Sequence, residues 1–171
     1  MLADPNCQAT LDQVLANRSA IFGIKYHPSV CQKRIVDPAT VPFLEYCERE
    51  GMLVLVHNGR EVISHSSFVF RVAPVYSRTK FVFAHLGANA SDLVEATLTD
   101  VQTNYRDIDN VYLDTSTAKM PYLVASAVEL MGSERIVFGS DVPYADFRIS
   151  RYCVDLAEIA EEEKAGRSRL T

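Results

Sequence analysis

Residues 53–58 read LVLVHN, a run of four apolar residues that stops at His57. The run lacks the alternation of a half-exposed strand and is typical of a parallel-sheet strand covered on both faces. Two further runs have the same form: KFVFAHLG (80–87) reaches His85, and RIVFGSD (135–141) reaches Asp141. Because parallel strands end at one edge of a sheet, the pattern predicts that these three side chains share one site.

Helical patterns separate the short apolar runs along the chain. We predict helices over residues 8–20, 38–50, 91–105, 121–131 and 151–164, and strands over 21–26, 53–56, 81–84, 111–113 and 136–138. Asp37 before Pro38 is predicted to be an N-cap, Gly51 marks a helix end, and Ser91 is a candidate cap. Segment 64–72 fits either a short helix or a strand. Strands separated by helices indicate right-handed βαβ connections and the α/β class.

Bulk properties limit the function classes. With 171 residues, 48% of them hydrophobic, the chain suits one domain spanning residues 1–171. The net charge is −5 with scattered basic residues, so a small-molecule substrate is expected and a nucleic acid is not. The four cysteines form no CxxC pair and are expected to be reduced. No secretory leader and no run of ~20 apolar residues is found, so we expect a cytoplasmic protein without a membrane partner.

Two architectures fit this order of elements. An open, doubly wound sheet of five strands needs about this length, whereas a complete (β/α)₈ barrel typically uses ~250 residues. Length by itself favours the open sheet, but polar residues at the ends of several strands are typical of barrel enzymes. A nucleotide-binding doubly wound domain is disfavoured, because no G-x-G-x-x-G or G-x-x-x-x-G-K-[ST] motif follows any strand.

Strand parity extends the prediction of a shared site. Residues two apart point to the same face, which groups Leu53 and Leu55 with His57, Phe81 and Phe83 with His85, and Val137 and Gly139 with Asp141. Two imidazoles and a carboxylate suffice for a catalytic zinc, and the same set suits iron or manganese. Zinc would lower the pKa of bound water to roughly 7 and make hydrolysis available. His85 and Asp141 are the candidate catalytic groups, and His57, His85 and Asp141 the candidate metal ligands.

Four further residues are candidates for substrate binding. Lys25 and His27, in IKYHP, share strand parity and could reach the same mouth, although His27 also fits a structural role. Arg60 could bind a substrate carboxylate through two hydrogen bonds, or simply be solvated. Asp114, in VYLDTS, could orient a ligand or cap a helix with the Thr-Ser pair that follows it. Each strand-end histidine could equally bond a loop carbonyl, and Asp141 could cap a helix.

Five motifs occur in a specific order between Gly23 and Tyr144: GIKYHP, LVLVHNG, KFVFAHLG, NVYLDTS and RIVFGSDVPY. This order resembles the second part of the amidohydrolase-related family, the metal-dependent hydrolases and decarboxylases that include aminocarboxymuconate-semialdehyde decarboxylase. The resemblance implies a (β/α)₈ barrel and a divalent metal. It also implies that His57 and Asp141 bind the metal, and that His85 acts on substrate or metal-bound water or binds a metal itself.

The chain departs from the family pattern at its start. Family members begin with a strand that ends in His-x-His, and no His-x-His occurs here. We therefore expect a partial barrel of about five strands, explained by a fragment, by a second copy that completes the barrel, or by a degenerate relative. The expected function is a metal-dependent hydrolase or non-oxidative decarboxylase, working on a small organic substrate through metal-bound water and a histidine acid/base. The alternative is a truncated, inactive barrel remnant that serves as an interaction or regulatory module.

A partial barrel leaves two sheet edges exposed, and exposed edges pair readily with other chains. We therefore predict a homo-oligomer, which light scattering coupled to size-exclusion chromatography measures directly. A mass equal to one chain at micromolar concentration would contradict this prediction.

Overall fold

The computed structural model describes residues 21–164 and, before them, positions 13, 16, 17 and 19. The predicted helix over 8–20 lies largely outside the described residues, and so does Cys7. The strands are β1 (Gly23–Tyr26), β2 (Leu53–Val56), β3 (Lys80–Phe83), β4 (Val111–Asp114) and β5 (Ile136–Val137). All five predicted strands are therefore present, each with its bounds shifted by at most two residues.

The five strands form one parallel sheet in the order β1-β2-β3-β4-β5. A doubly wound sheet reverses its strand order at a switch point, and this sheet has no reversal. Sequential order is the order of strands around a (β/α) barrel. The predicted α/β fold with barrel-type units is confirmed, and the open doubly wound sheet that length favoured is wrong.

The helices are α1 (Pro28–Cys31), α2 (Val41–Glu50), α3 (Ser67–Val72), α4 (Ser91–Asn104), α5 (Pro121–Met131), α6 (Phe147–Asp155) and α7 (Glu161–Lys164). Segment 64–72, which the sequence left open, is thus a 3-10 turn (Val62–Ser64) followed by α3. None of the described helices is long and apolar enough to cross a lipid bilayer.

Local signals set several helix ends. The Asp37 side chain accepts a hydrogen bond from the Ala39 amide at 2.9 Å, as predicted for a cap, and a 3-10 turn (Pro38–Thr40) leads into α2. Gly51 ends α2 with φ of 58°, a left-handed conformation that glycine adopts without steric cost. Ser91, in contrast, is the first residue of α4 rather than its cap, which is Ala90.

The predicted closing helix over 151–164 is wrong. The Asp146 side chain accepts from the Arg148 amide at 3.0 Å, so α6 begins at residue 147 and ends at 155. The chain then turns inward to bury Ala157 at 2% exposure. A separate helix, α7, begins after this point, because the Glu163 carboxylate accepts a hydrogen bond from the Ala160 amide at 3.0 Å and caps the new helix.

The core lies on one face of the sheet. Side chains of this face on the central strands, including Val54, Phe81 and Phe83, are fully buried against the helices. Phe70 of α3 packs on Phe83 with ring centroids 4.8 Å apart and stacks on Tyr105 at 4.4 Å. Each such aromatic contributes about 1.5–3 kcal/mol through burial. The opposite face of the sheet is left to line a cavity.

Asn110 is a hydrogen-bond hub just before β4. Its buried side-chain amide donates to the carbonyls of Ala73, Tyr76 and Thr79 at 2.9, 3.0 and 2.9 Å. Asn110→Ala leaves these acceptors without their donor, so we expect unfolding in urea to show a loss of about 2–3 kcal/mol. The control Asn104→Ala, on the exposed end of α4, should cost under about 0.5 kcal/mol. Equal losses in the two variants would contradict the role of Asn110.

Cys31, Cys47 and Cys153 are buried, and none of these three forms a disulfide bond within the described residues. Burial raises the pKa of the Cys47 thiol to about 12 from its ordinary 9.0, so its reactive thiolate stays scarce. We expect Cys47 to resist iodoacetamide at pH 9 in the native protein and to react readily at the same pH in urea, as read by peptide mass mapping. Rapid labelling of Cys47 in the native protein would contradict this prediction.

Candidate active site at the carboxyl ends of the strands

The predicted site residues lie at one edge of the sheet. His27, His57 and His85 follow β1, β2 and β3, Asp114 is the last residue of β4, and Asp141 follows β5. Lys25 lies within β1, one residue before its end. The His57 amide donates to the Tyr26 carbonyl at 2.9 Å, which holds the first two strand ends side by side.

Three imidazoles from neighbouring loops form a contiguous group. His85 Nε2 lies 3.2 Å from His57 Nδ1, with the two rings almost perpendicular at 78°. The His27 ring stacks on the other side of His57, with centroids 3.9 Å apart and planes inclined by 10°. The structure therefore brings His57 and His85 together, as the sequence predicted, and adds His27 to them.

His85 reaches this position by a route that strand parity did not predict. Leu55 pairs in register with Val82, so Phe81 and Phe83 lie on the buried, helix-covered face, opposite Leu55. The expectation that Phe81 and Phe83 share the face of Leu55 is wrong. A short turn after β3 redirects the chain, with left-handed φ values of 63° at His85 and 55° at Leu86. Such values are uncommon outside glycine and occur often at functional sites.

Asp114 and Ser116 hold this turn in place. Oδ1 of Asp114 accepts from the backbone amides of His85 at 2.8 Å and Ser116 at 2.9 Å, and it also accepts from the Ser116 hydroxyl. The Ser116 oxygen in turn lies 2.8 Å from His85 Nδ1. Asp114 is thus fastened to the backbone rather than to a helix, and its predicted role in substrate binding stays a prediction. Ser116 was missed as a site residue, because the sequence offered it only as part of a possible cap.

A cavity of about 380 Å³ opens on the sheet face opposite the helices. It is lined by apolar residues (Phe22, Leu53, Leu55, Val82, Val137 and Phe138), by Gly139, and by polar residues (Lys25, His85, Asp114, Ser116, Ser140 and Asp141). This mixture of apolar walls and a few convergent polar groups is typical of small-molecule sites. Lys25, His85 and Asp141, all predicted site residues, therefore face one space.

The electrostatics of the site favour neutral imidazoles. Burial, followed by the positive potentials of His27, His85 and Lys25, lowers the pKa of His57 to about 4, against a small opposing effect of Glu61. Burial is also the main cause that lowers the pKa of His27. A neutral imidazole keeps a lone pair for a metal or a proton. His57 is thus uncharged at neutral pH and available as a ligand or base.

Lys25 shares the cavity wall with two carboxylates, those of Asp114 and Asp141. Burial lowers the pKa of its amine, while Asp114 and Asp141 act in the opposite direction and favour the charged form. A lysine held in this way at a cavity wall is suited to pair with an anionic group. The position agrees with the predicted role of Lys25 in substrate binding, which stays a prediction.

The imidazole pair fits two positions of a metal site. Two ligand atoms about 2.0–2.1 Å from a tetrahedral zinc stand roughly 3.3 Å apart, close to the 3.2 Å between His85 Nε2 and His57 Nδ1. Within residues 21–164, however, no three His, Cys, Asp or Glu side chains lie close enough to hold a metal together. Asp141 lines the same cavity but does not complete the predicted ligand set in this arrangement. The metal-binding roles of the three residues stay predictions.

Arg60 and His65 lie outside the imidazole group, whereas His27 belongs to it. Arg60 is exposed on the loop after β2 and is not among the residues that line the cavity. His65 is exposed, and its Nδ1 lies 2.9 Å from the Ser67 hydroxyl. His27 Nδ1 is buried and has no hydrogen-bond partner among the described residues. Of these three, only His27 is part of the imidazole group.

The profile of the Amidohydrolase family Amidohydro_2 matches residues 2–167, nearly the whole chain. The chain therefore belongs to the amidohydrolase family, as its five ordered motifs indicated. No curated protein gives a significant match to it.

Solved structures of this family share the fold at low sequence identity. The 5-carboxyvanillate decarboxylase LigW from Sphingomonas paucimobilis superposes with a TM-score of 0.75 at 17% identity, over 98% of this chain and 62% of its own. An uncharacterised TIM-barrel protein from Bordetella bronchiseptica gives 0.73 at 17% identity, over 93% and 57%. A mutant of 5-carboxyvanillate decarboxylase LigW2 from Novosphingobium aromaticivorans, with bound manganese and 3-methoxy-4-hydroxy-5-nitrobenzoic acid, gives 0.69 at 12% identity, over 95% and 59%.

These three comparisons agree on the architecture. The chain spans less than two thirds of the length of each of the three structures. Since one of them is a TIM-barrel protein, the five-stranded sheet corresponds to part of such a barrel. The comparison supports the partial barrel predicted from the sequence.

Removal of the Asp114 carboxylate tests its role in holding the turn. Asp114→Ala leaves the buried Ser116 amide without its acceptor, and it leaves the His85 amide with only the more distant Ser116 hydroxyl oxygen at 3.3 Å. We therefore expect a loss of about 2–4 kcal/mol in urea unfolding. Asp155→Ala removes an exposed carboxylate paired with Arg151 at 2.8 Å and should change stability by less than about 0.5 kcal/mol. A loss for Asp114→Ala no larger than this control would show that the turn holds without it.

Proposed function

We propose that this chain supplies part of a metal-dependent amidohydrolase-type site that hydrolyses or decarboxylates a small organic acid. The observation that supports it most is the contact of His57 with His85, because His85 also lines the cavity that Lys25 and Asp141 line. The chain's membership in the amidohydrolase family adds to this support.

The metal would be held by His57 and Asp141, with His85 either completing the ligand set or acting on the substrate. Neutral imidazoles and a carboxylate suit zinc, manganese and iron. Zinc is our first choice. Manganese is our second choice, because it is bound in a decarboxylase of similar fold. When bound, such a metal polarises a substrate oxygen and lowers the pKa of a coordinated water to about 7.

His85 is the proposed proton donor and acceptor. Its Nε2 points toward His57 at the rim of the cavity, while Nδ1 is engaged by Ser116. In a decarboxylation, the bond between the carboxylate and its carbon breaks, carbon dioxide leaves, and the carbon takes up a proton. We assign this transfer to His85 Nε2, which would first take up a proton from the substrate or from water and then deliver it to the carbon, a step typically worth 10²–10⁴-fold in rate.

The cavity suits a small, flat anion. Lys25 offers a positive charge at its wall, and the apolar residues Leu53, Leu55 and Val82 form its floor. Carboxylated phenols such as 5-carboxyvanillate, the substrate in the name of a structural neighbour, are therefore the first compounds to assay. Arg60 and His27 are further candidates for substrate contact. Oligomerisation and a cytoplasmic location stay predictions.

Metal content tests the proposal most directly. Protein purified without chelator should carry zinc or manganese, measured by elemental analysis, and His57→Ala should lower that content at least tenfold, since loss of a ligand costs about 1.4 kcal/mol or more. The matched control is His65→Ala, which removes an exposed imidazole and should leave metal content unchanged. Absence of metal above background, or equal content in both variants, would contradict the proposal.

Turnover separates the two roles of His85. His85→Gln should lower decarboxylation of 5-carboxyvanillate, followed by carbon dioxide release, by at least about 100-fold. Retained metal in that variant would assign His85 to proton transfer, and lost metal would assign it to the ligand set. A variant with unchanged turnover would remove His85 from the mechanism, and a wild-type protein with metal but no turnover would favour the inactive-remnant alternative.

A further inference from the structure

The Ser116 hydroxyl touches both Asp114 and His85. It lies next to Oδ1 of Asp114 and 2.8 Å from His85 Nδ1. His85 is 4% exposed and Ser116 3%, so water does not compete for these bonds. The direction of each hydrogen bond in this buried chain can therefore be worked out from donors and acceptors.

Asp114 Oδ1 must act as the acceptor. It already receives two backbone N–H groups, from His85 at 2.8 Å and Ser116 at 2.9 Å, and backbone amides only donate. An oxygen engaged by two donors leaves no room for a proton of its own. The Ser116 hydroxyl hydrogen therefore points to Asp114.

With its hydrogen committed, Ser116 offers His85 only a lone pair. The Ser116 backbone carbonyl also lies 3.4 Å from His85 Nδ1 and is likewise an acceptor. Two acceptors at one ring nitrogen require a hydrogen on that nitrogen. The neutral His85 ring is thus protonated at Nδ1, which leaves the lone pair on Nε2, the atom 3.2 Å from His57.

We propose that Ser116, with its hydrogen directed by Asp114, is a positioning residue that fixes His85 in the Nδ1–H tautomer. This aims the Nε2 lone pair toward His57, where a metal, a substrate proton or the His57 Nδ1–H group would meet it. The tautomer itself follows from the described contacts. Its consequence for catalysis rests on the proposed function.

The tautomer is read by NMR of the histidine ring nitrogens in isotope-labelled protein, at a pH where the ring is neutral. His85 is assigned by comparison with His85→Gln. We expect wild-type His85 to be protonated at Nδ1, and we expect Ser116→Ala to lower the ratio of Nδ1–H to Nε2–H about fivefold to tenfold, the effect of one ordinary hydrogen bond. Ser116→Thr, which keeps the hydroxyl, should retain the wild-type ratio.

The matched control is Ser126→Ala, the same chemical change at an exposed position of α5, which should leave the His85 ring signals unchanged. A wild-type His85 protonated at Nε2 would overturn the proposal, and this result does not depend on whether any variant folds. An unchanged ratio in folded Ser116→Ala would overturn it equally.

Kinetics then test the catalytic consequence. In the decarboxylation assay, Ser116→Ala should lower kcat about tenfold with little change in KM, and Ser116→Thr should restore it. A tautomer change in a protein that turns over no substrate would support the inference about Ser116 while refuting the proposed function. A wild-type Nε2–H tautomer in an enzyme that turns over substrate would refute the inference about Ser116 while supporting the proposed function.

Discussion

The site depends on one carboxylate, that of Asp114. It ends β4 and receives the backbone amide of His85 from the turn after β3, so that it ties two neighbouring strand ends together. Buried at 7% exposure, it accepts hydrogen bonds from two backbone N–H groups and a hydroxyl in the interior. Such groups are costly when left unsatisfied, which makes this bond network a strong constraint on the turn.

The turn after β3 places His85 beside His57. A parallel strand alternates its side chains, and Phe83 therefore points to the helix-covered core. Two consecutive left-handed residues after it change the direction of the chain and bring His85 beside His57. The strained backbone after β3 thus permits a contact between the two imidazoles that a regular strand would not make.

The sheet explains why the contacts gather on one side. Its sequential strand order leaves one face to the helices and the other to the cavity, so the apolar residues of the first form the core while Leu53, Leu55 and Val82 line the second. The same apolar character serves folding on one face and a binding surface on the other. Within the described residues, no three metal-ligating side chains lie close enough to share one ion.

The sequence by itself determined the α/β class, the five strands, the helices α2, α4 and α5 and the strand-end positions of His57, His85 and Asp141, because burial patterns and helix caps are local signals. It also indicated the family, through five motifs in order. Only the tertiary structure decided the register that pairs Leu55 with Val82, the left-handed turn that redirects His85, and the contacts of Ser116. These depend on hydrogen bonds between residues about thirty positions apart, and the energy of such a bond cannot be read from either segment in isolation.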